Sequence, residues 1–151
     1  MAVKKFSKQA LALAMIFSAL YIFGCSSSAI DVSKLSPEEL VQTYYKSLAS
    51  GDIETARACL SKDYAKDMDQ FQDSDFTNLE SVTNIVVKPA SCCWPVHYRG
   101  AEVKAVQMVV TYEAHYKIIT GADNGKQLRF VAVYKVDGDS SWKIISIGSG
   151  P

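Results

Sequence analysis

Glu102-Val103-Lys104-Ala105-Val106-Gln107-Met108-Val109-Val110-Thr111-Tyr112-Glu113-Ala114-His115-Tyr116-Lys117-Ile118 is the stretch on which the fold turns. Successive side chains of an extended strand point to opposite sides. Val106, Met108, Val110, Tyr112, Ala114, Tyr116 and Ile118 therefore share one face, and Gln107, Thr111, Glu113, His115 and Lys117 share the other. That period of two predicts one long strand, apolar on one side.

Strand signals continue on both sides of it. Ser81–Val87 is rich in β-branched residues and stops at Pro89. Residues 90–100 hold Cys92, Cys93, Pro95 and Gly100, and read as a loop or irregular strand. After a turn at 121–125, Leu128, Phe130, Ala132, Tyr134 and Val136 alternate together. Asp137-Gly138-Asp139 is a hairpin turn leading into a last strand, Trp142–Ile147. Upstream the period changes. Ser36-Pro37-Glu38-Glu39 offers an N-cap, a proline at N1 and a glutamate at N3. Leu40, Val41, Tyr44, Tyr45 and Leu48 then recur at helical spacing until Gly51. Asp52 caps a second helix carrying Ile53, Ala56, Cys59 and Leu60, and a short third helix is expected within 62–75. Helices first and an antiparallel meander of about four strands afterwards make an α+β domain.

The helices must cover one face of that sheet. Tyr44, Tyr45, Tyr112, Tyr116, Phe130, Tyr134 and Trp142 are the candidate lining of a pocket between the two layers, suited to an apolar or ring-bearing ligand. The plainer reading of the same residues is aromatic core packing. Val103, Ala105, Val109, Val131, Val133, Ile145 and Ile147 are then expected on the outer face, apolar where water is expected. That motivates pairing of two copies, or an envelope protein partner, through the sheet.

The first 24 residues read differently from the rest. Lys4, Lys5 and Lys8 precede an uncharged apolar run over 10–23, too short for the ~20 apolar residues that span a bilayer comfortably. A basic segment followed by a short apolar one is a secretory signal. Ile22-Phe23-Gly24-Cys25 follows and resembles the lipobox of bacterial lipoproteins, with Phe23 where a small residue is usual. The resemblance implies cleavage before Cys25, diacylation of that cysteine and anchoring on the outer face of the cell membrane. Two acyl chains hold a protein firmly where one does not. The expected organisation is a signal peptide over 1–24, a lipidated cysteine and flexible tether over 25–35, and one domain over 36–151. The alternative is an uncleaved anchor helix.

Without residues 1–24 the chain keeps 13 basic and 16 acidic residues, which gives no reason to expect nucleic-acid binding. No cofactor motif is present. Beyond Cys25, the cysteines are Cys59, Cys92 and Cys93. A bridge from Cys59 to one of the adjacent pair would close a loop of about 33 residues and stabilise by ~3 kcal/mol or more. A strained vicinal redox pair and three reduced thiols are the other readings.

The helix with Tyr44-Tyr45, then Ser50-Gly51-Asp52 opening a helix with Ala56 and Leu60, then Asp63-Tyr64, resembles the start of the NTF2-like cone fold. The closing Asp-Gly-Asp turn and Trp142-Lys143-Ile144 resemble its end. Behind a lipobox, the whole is similar to the DUF4829 lipoproteins of Firmicutes over residues 36–151. That resemblance implies a curved antiparallel sheet with two to three N-terminal helices packed on it and a pocket between. In enzymes of the fold, such as ketosteroid isomerase and scytalone dehydratase, acids or a His–Asp pair project into that pocket.

Here the inward faces read as apolar and aromatic. Glu113 and His115 lie opposite Tyr112 and Tyr116, and no carboxylate is expected among the tyrosines. The acidic run Asp63, Asp67, Asp69, Asp73 and Asp75 lacks the spacing of a calcium loop and reads as a solvated helix face. Cys92-Cys93-Trp94-Pro95-Val96-His97 lacks the spaced cysteine pairs of a zinc site, and reads as a loop whose thiols pack inward. The expectation is a tethered binding domain without catalysis. The alternative is a small isomerase, dehydratase or hydrolase acting in the cone.

Overall fold

The computed structural model describes residues 30–70, 75–91, 93–119, 123–136 and 140–150. Cys25, Cys92 and the turn at 137–139 lie outside the described residues. A 3-10 turn, Val32–Lys34, comes first, and Val32 and Leu35 pack against the core.

Helix α1 spans Pro37–Ser50. Glu39 N–H donates to Ser36 Oγ at 3.4 Å, and Ser36 N–H donates to the Glu39 carboxylate at 2.9 Å. This reciprocal box satisfies two helix-end donors that would otherwise have no partner. Gly51 stops the helix at φ 74°, a left-handed conformation that costs a residue without Cβ little. The helix turns Leu40, Val41, Tyr44, Tyr45 and Leu48 to the interior. Helix α2, Ile53–Ala58, is capped by Asp52, whose Oδ1 accepts from Thr55 N–H at 3.1 Å. Helix α3 is Lys62–Gln70, and a fourth helix that the sequence reading did not separate, α4, is Asp75–Asn78.

The main sheet runs in the order β1 (Leu79–Pro89), β4 (Val106–Tyr116), β5 (Gly125–Lys135), β6 (Trp142–Gly148), all antiparallel. Two short strands, β2 (His97–Tyr98) and β3 (Ala101–Glu102), form a separate hairpin. Its turn places Arg99 at φ 52° and Gly100 at φ 79°. The long strand read from Glu102 is thus divided, with Glu102 in β3 and β4 starting at Val106. The class is α+β: among the described residues, four helices lie on a four-stranded antiparallel sheet.

β4 faces as the alternation requires: Met108, Val110, Tyr112, Ala114 and Tyr116 are buried under the helices, whereas Glu113 and His115 are exposed. β5 and β6 do not face as expected. Val131, Val133 and Ile144 are fully buried on the helix side, with Ile147 packed beside them. Phe130 stands opposite Val109, and Ala132 and Tyr134 belong to a second apolar cluster on the far face. Thus Val131, Val133 and Ile147 are core and not outer surface, and Phe130 and Tyr134 do not line a pocket with Tyr112. The physical cause is burial on both faces of β5, which erases the polar alternation that would tell its sides apart.

That far face is covered in part by the chain itself. Trp94, Val96, Tyr98, Val103 and Ala105 pack on it against Ala132 and Ile145. The Gln107 side chain fixes the covering segment, donating to Trp94 O at 2.6 Å and accepting from Trp94 N–H at 2.9 Å. Trp94 meets Phe130 edge-on, with ring centroids 5.2 Å apart. At the other margin, Ile144 N–H donates to Cys59 O at 2.9 Å and Ser61 N–H donates to Ile144 O at 2.8 Å. These bonds join the β6 edge to the link between α2 and α3, and so occupy an edge that would otherwise offer unpaired backbone groups.

Candidate functional site

Four of the sequence-selected tyrosines meet between the helices and the sheet. α1 supplies Tyr44 and Tyr45, adjacent in sequence and still both buried; β4 supplies Tyr112 and Tyr116. Tyr45 is the hub: its ring lies 5.1 Å from Tyr44, edge-on, and 4.9 Å from Tyr112. Trp142 packs at the margin of this core, with Lys135 Nζ 5.0 Å over its ring.

The rings are core packing, as the plainer reading had it. Their hydroxyls are unusual. Those of Tyr44, Tyr45, Tyr112 and Tyr116 are buried and make no hydrogen bond of good geometry among the described residues, although Tyr112 and Tyr116 lie close enough to act on each other. Each such group carries a desolvation penalty of about 1–3 kcal/mol, and native domains hold few of them. Tyr64 of α3 differs: its hydroxyl accepts from Ile147 N–H at 3.1 Å and donates to Ile147 O at 3.4 Å.

Two charged residues complete the cluster, and the sequence reading assigned neither to it. Asp75 opens α4 and is half-buried. Burial raises its carboxyl from its ordinary value, opposed by Arg129. It belongs to the acidic run expected on a solvated face, but its charge acts on the interior. Burial first, then Asp75, raises the phenols of Tyr44 and Tyr112; burial pushes Tyr64 up to about 12. Arg129 lies opposite Val110, on the helix side of β5, and is also half-buried. Desolvation pulls its guanidinium down, but Tyr112, Tyr116, Asp75 and Tyr45 outweigh it, so the group stays charged. The result is one carboxyl and one guanidinium near the boundary of the core, beside neutral phenols that can donate or accept.

The other candidates disperse. Cys59 is buried, its thiol donating to Thr55 O at 3.3 Å and pushed by burial up to about 12, which keeps it a thiol. Cys93 is exposed, contrary to the inward packing expected of that loop, and neither of the two is in a disulfide. His97 and His115 are exposed, the latter 3.8 Å from Glu80. Among the described residues no group of three or more His, Cys, Asp or Glu could hold a metal ion. Also among them, no helix is long and apolar enough to cross a membrane.

Helices on one side of a four-stranded antiparallel sheet, with polar groups gathered where the layers meet, define a small α+β domain. The chain belongs to the family described as a domain of unknown function, DUF4829, whose profile matches residues 38–148. No curated protein and no solved structure matches it.

Proposed function

We propose that this chain is a lipid-tethered envelope protein whose domain, an NTF2-like cone, binds a small molecule at the tyrosine cluster without transforming it. The four buried hydroxyls, which make no hydrogen bond of good geometry among the described residues, carry the reading. A ligand with a ring or short apolar body and a carbonyl or hydroxyl end would satisfy them, with Asp75 and Arg129 meeting its polar end. Donors already fixed by packing lower the cost of ordering a site. Cys25 would hold the domain at the outer face of the membrane. The test is native mass spectrometry of protein extracted from membranes in mild detergent. A small-molecule adduct is expected, lost in Asp75→Asn and in Tyr112→Phe. Protein that carries no adduct and takes none up from a cell extract refutes the reading.

Asp75 favours a second reading, an enzyme of the isomerase or dehydratase sort. A carboxyl raised by burial beside phenolic donors suits proton abstraction next to a carbonyl. Ligand recovered after incubation in D2O separates the two: non-exchangeable deuterium with the wild type, absent with Asp75→Asn, means proton transfer, and ligand without it means binding alone. Pairing of two copies through the sheet is left with the strip from Val86 to Leu128, each 44% exposed and both in register with Thr111. Sedimentation of the detergent-solubilised protein tests it, and a strict monomer at high concentration removes it.

A further inference from the structure

On the outer side of α2 and α3, away from the tyrosine hydroxyls, lies a half-open groove of about 800 Å³. Its walls are the end of α2, one face of α3, the β2–β3 hairpin and β6. Among the described residues, Arg57, Lys62, Lys66, Arg99 and Lys143 line it, with Asp69 as the lining carboxylate. Asp63 stands beside it on Arg99. Counted over the described residues, and with Asp63 included, the groove has an excess of three positive charges, in a chain whose acids equal its bases.

Several of these cations are held in place. Arg57 Nη1 donates to Asp69 Oδ2 at 2.6 Å, and its guanidinium carbon lies 5.0 Å over the Phe76 ring. Arg99 Nε donates to Asp63 Oδ2 at 2.8 Å, with its guanidinium 5.1 Å over Tyr98. Tyr98 OH donates to the same Asp63 oxygen at 2.8 Å. Lys143 Nζ donates to Ala58 O at 2.9 Å. Arg99 also sits at a positive φ that a residue with a side chain rarely adopts. Asparagine or glycine would suit that turn better. The two-residue turn between Tyr98 and Ala101 imposes this φ. Between the cations, Leu60, Ala65, Val136 and the Tyr98 ring give the groove apolar surface.

We infer that this groove is an anion site, distinct from the tyrosine cluster, for phosphate groups carried by an organic molecule. A guanidinium fork matches phosphate oxygens geometrically, and the lysines add point charge. The volume lies within the ordinary range of small-molecule sites. Pinning each arginine between a carboxylate and a ring reduces the freedom lost when a ligand arrives.

The test is isothermal titration calorimetry of the full chain in neutral detergent at low salt. One arm uses inorganic pyrophosphate, and a parallel flotation assay uses phosphatidylglycerol vesicles against phosphatidylcholine vesicles. Saturable pyrophosphate binding, weakened at least about tenfold by Lys62→Glu with Lys66→Glu, supports a soluble phosphorylated ligand. Binding of the anionic vesicles alone, lost in the same double variant, supports phosphate presented by a lipid headgroup. Lys88→Glu with Lys104→Glu removes the same total charge at exposed positions outside the groove and should change neither. Matching thermal melts for both double variants show that folding is not the cause. If neither probe binds, or if the control variant weakens binding equally, the groove is not an anion site.

Discussion

Replacing Tyr45 by Phe should make this domain more stable. The ring is 0% exposed and sits between Tyr44 and Tyr112. Phe keeps both ring contacts and nearly all the packing, so the aromatic pairing, about 0.5–1.5 kcal/mol per pair, is retained. What is lost is a hydroxyl that left water without finding a partner. Its desolvation penalty of about 1–3 kcal/mol disappears. The small void left by one oxygen returns only about 0.2 kcal/mol of that, at the usual cost per unit of cavity volume. The net expectation is a gain of about 1 kcal/mol or more, a rise of about 3–5 °C in Tm for a domain of this size. Urea denaturation followed by circular dichroism measures it, with the slope of the transition unchanged. If the hydroxyl serves a ligand, the stabilised variant should also bind that ligand less well. A variant destabilised by about 1 kcal/mol would refute the argument, because it would mean that the hydroxyl makes a favourable bond in the folded protein.

Asp75→Asn should stabilise the protein increasingly as pH rises. The folded carboxyl holds its proton more tightly than the unfolded one. Below the ordinary carboxyl range both forms are protonated and the wild type matches the variant. Above it the unfolded chain ionises first, so the wild type loses stability until pH passes the raised folded value. Paired urea melts between pH 3 and 8 show the gap opening, and a gap that closes with rising pH contradicts the burial argument. Ile144→Ala, at a fully buried position, should cost about 2–5 kcal/mol, whereas Leu128→Ala, at an exposed one, should change stability by under about 0.5 kcal/mol in the same melts. Ser36→Ala removes the acceptor for Glu39 N–H and should cost about 1 kcal/mol; an unchanged midpoint would mean the cap contributes nothing.

The fold class was legible because each element had two agreeing signals. α1 combines a capping box, an apolar stripe and a terminal glycine, and it forms where those signals place it. β4 was legible because one of its faces carries Glu113 and His115, so polarity marks the outside. Helix α4 was not separated, because four residues are too few to display a helical period. The break between β3 and β4 was hidden as well. Residues 103–105 keep a period of two but out of phase with β4, with Lys104 in the parity of Val106, and they cross to the covering segment, where Val103 and Ala105 pack with Val96.

The residues missed at the site share one origin with the misplaced residues of β5. Once Val131 and Val133 are placed outside, Arg129 goes outside with them, and the tyrosines are left without a cation. The sequence held a signal that would have settled the side. Across an antiparallel pair, directly opposed residues share a face. Glu113 of β4 is an outward residue, and a lysine of β5 is its natural opposite; in register with it stands Lys126. If Lys126 faces outward, so do Leu128, Phe130, Ala132 and Tyr134, by the period of two. Gln127, Arg129, Val131 and Val133 then face the helices. One charge pair thus determines which valines build the core and which guanidinium reaches the tyrosines. In a strand buried on both sides, apolar residues cannot carry that information, and the few charged positions near its ends must. Asp75 lacked even this signal, because it lies in an acidic run whose other described members, Asp63, Asp67 and Asp69, lie outside the tyrosine cluster, and only its place at the start of α4 turns it inward.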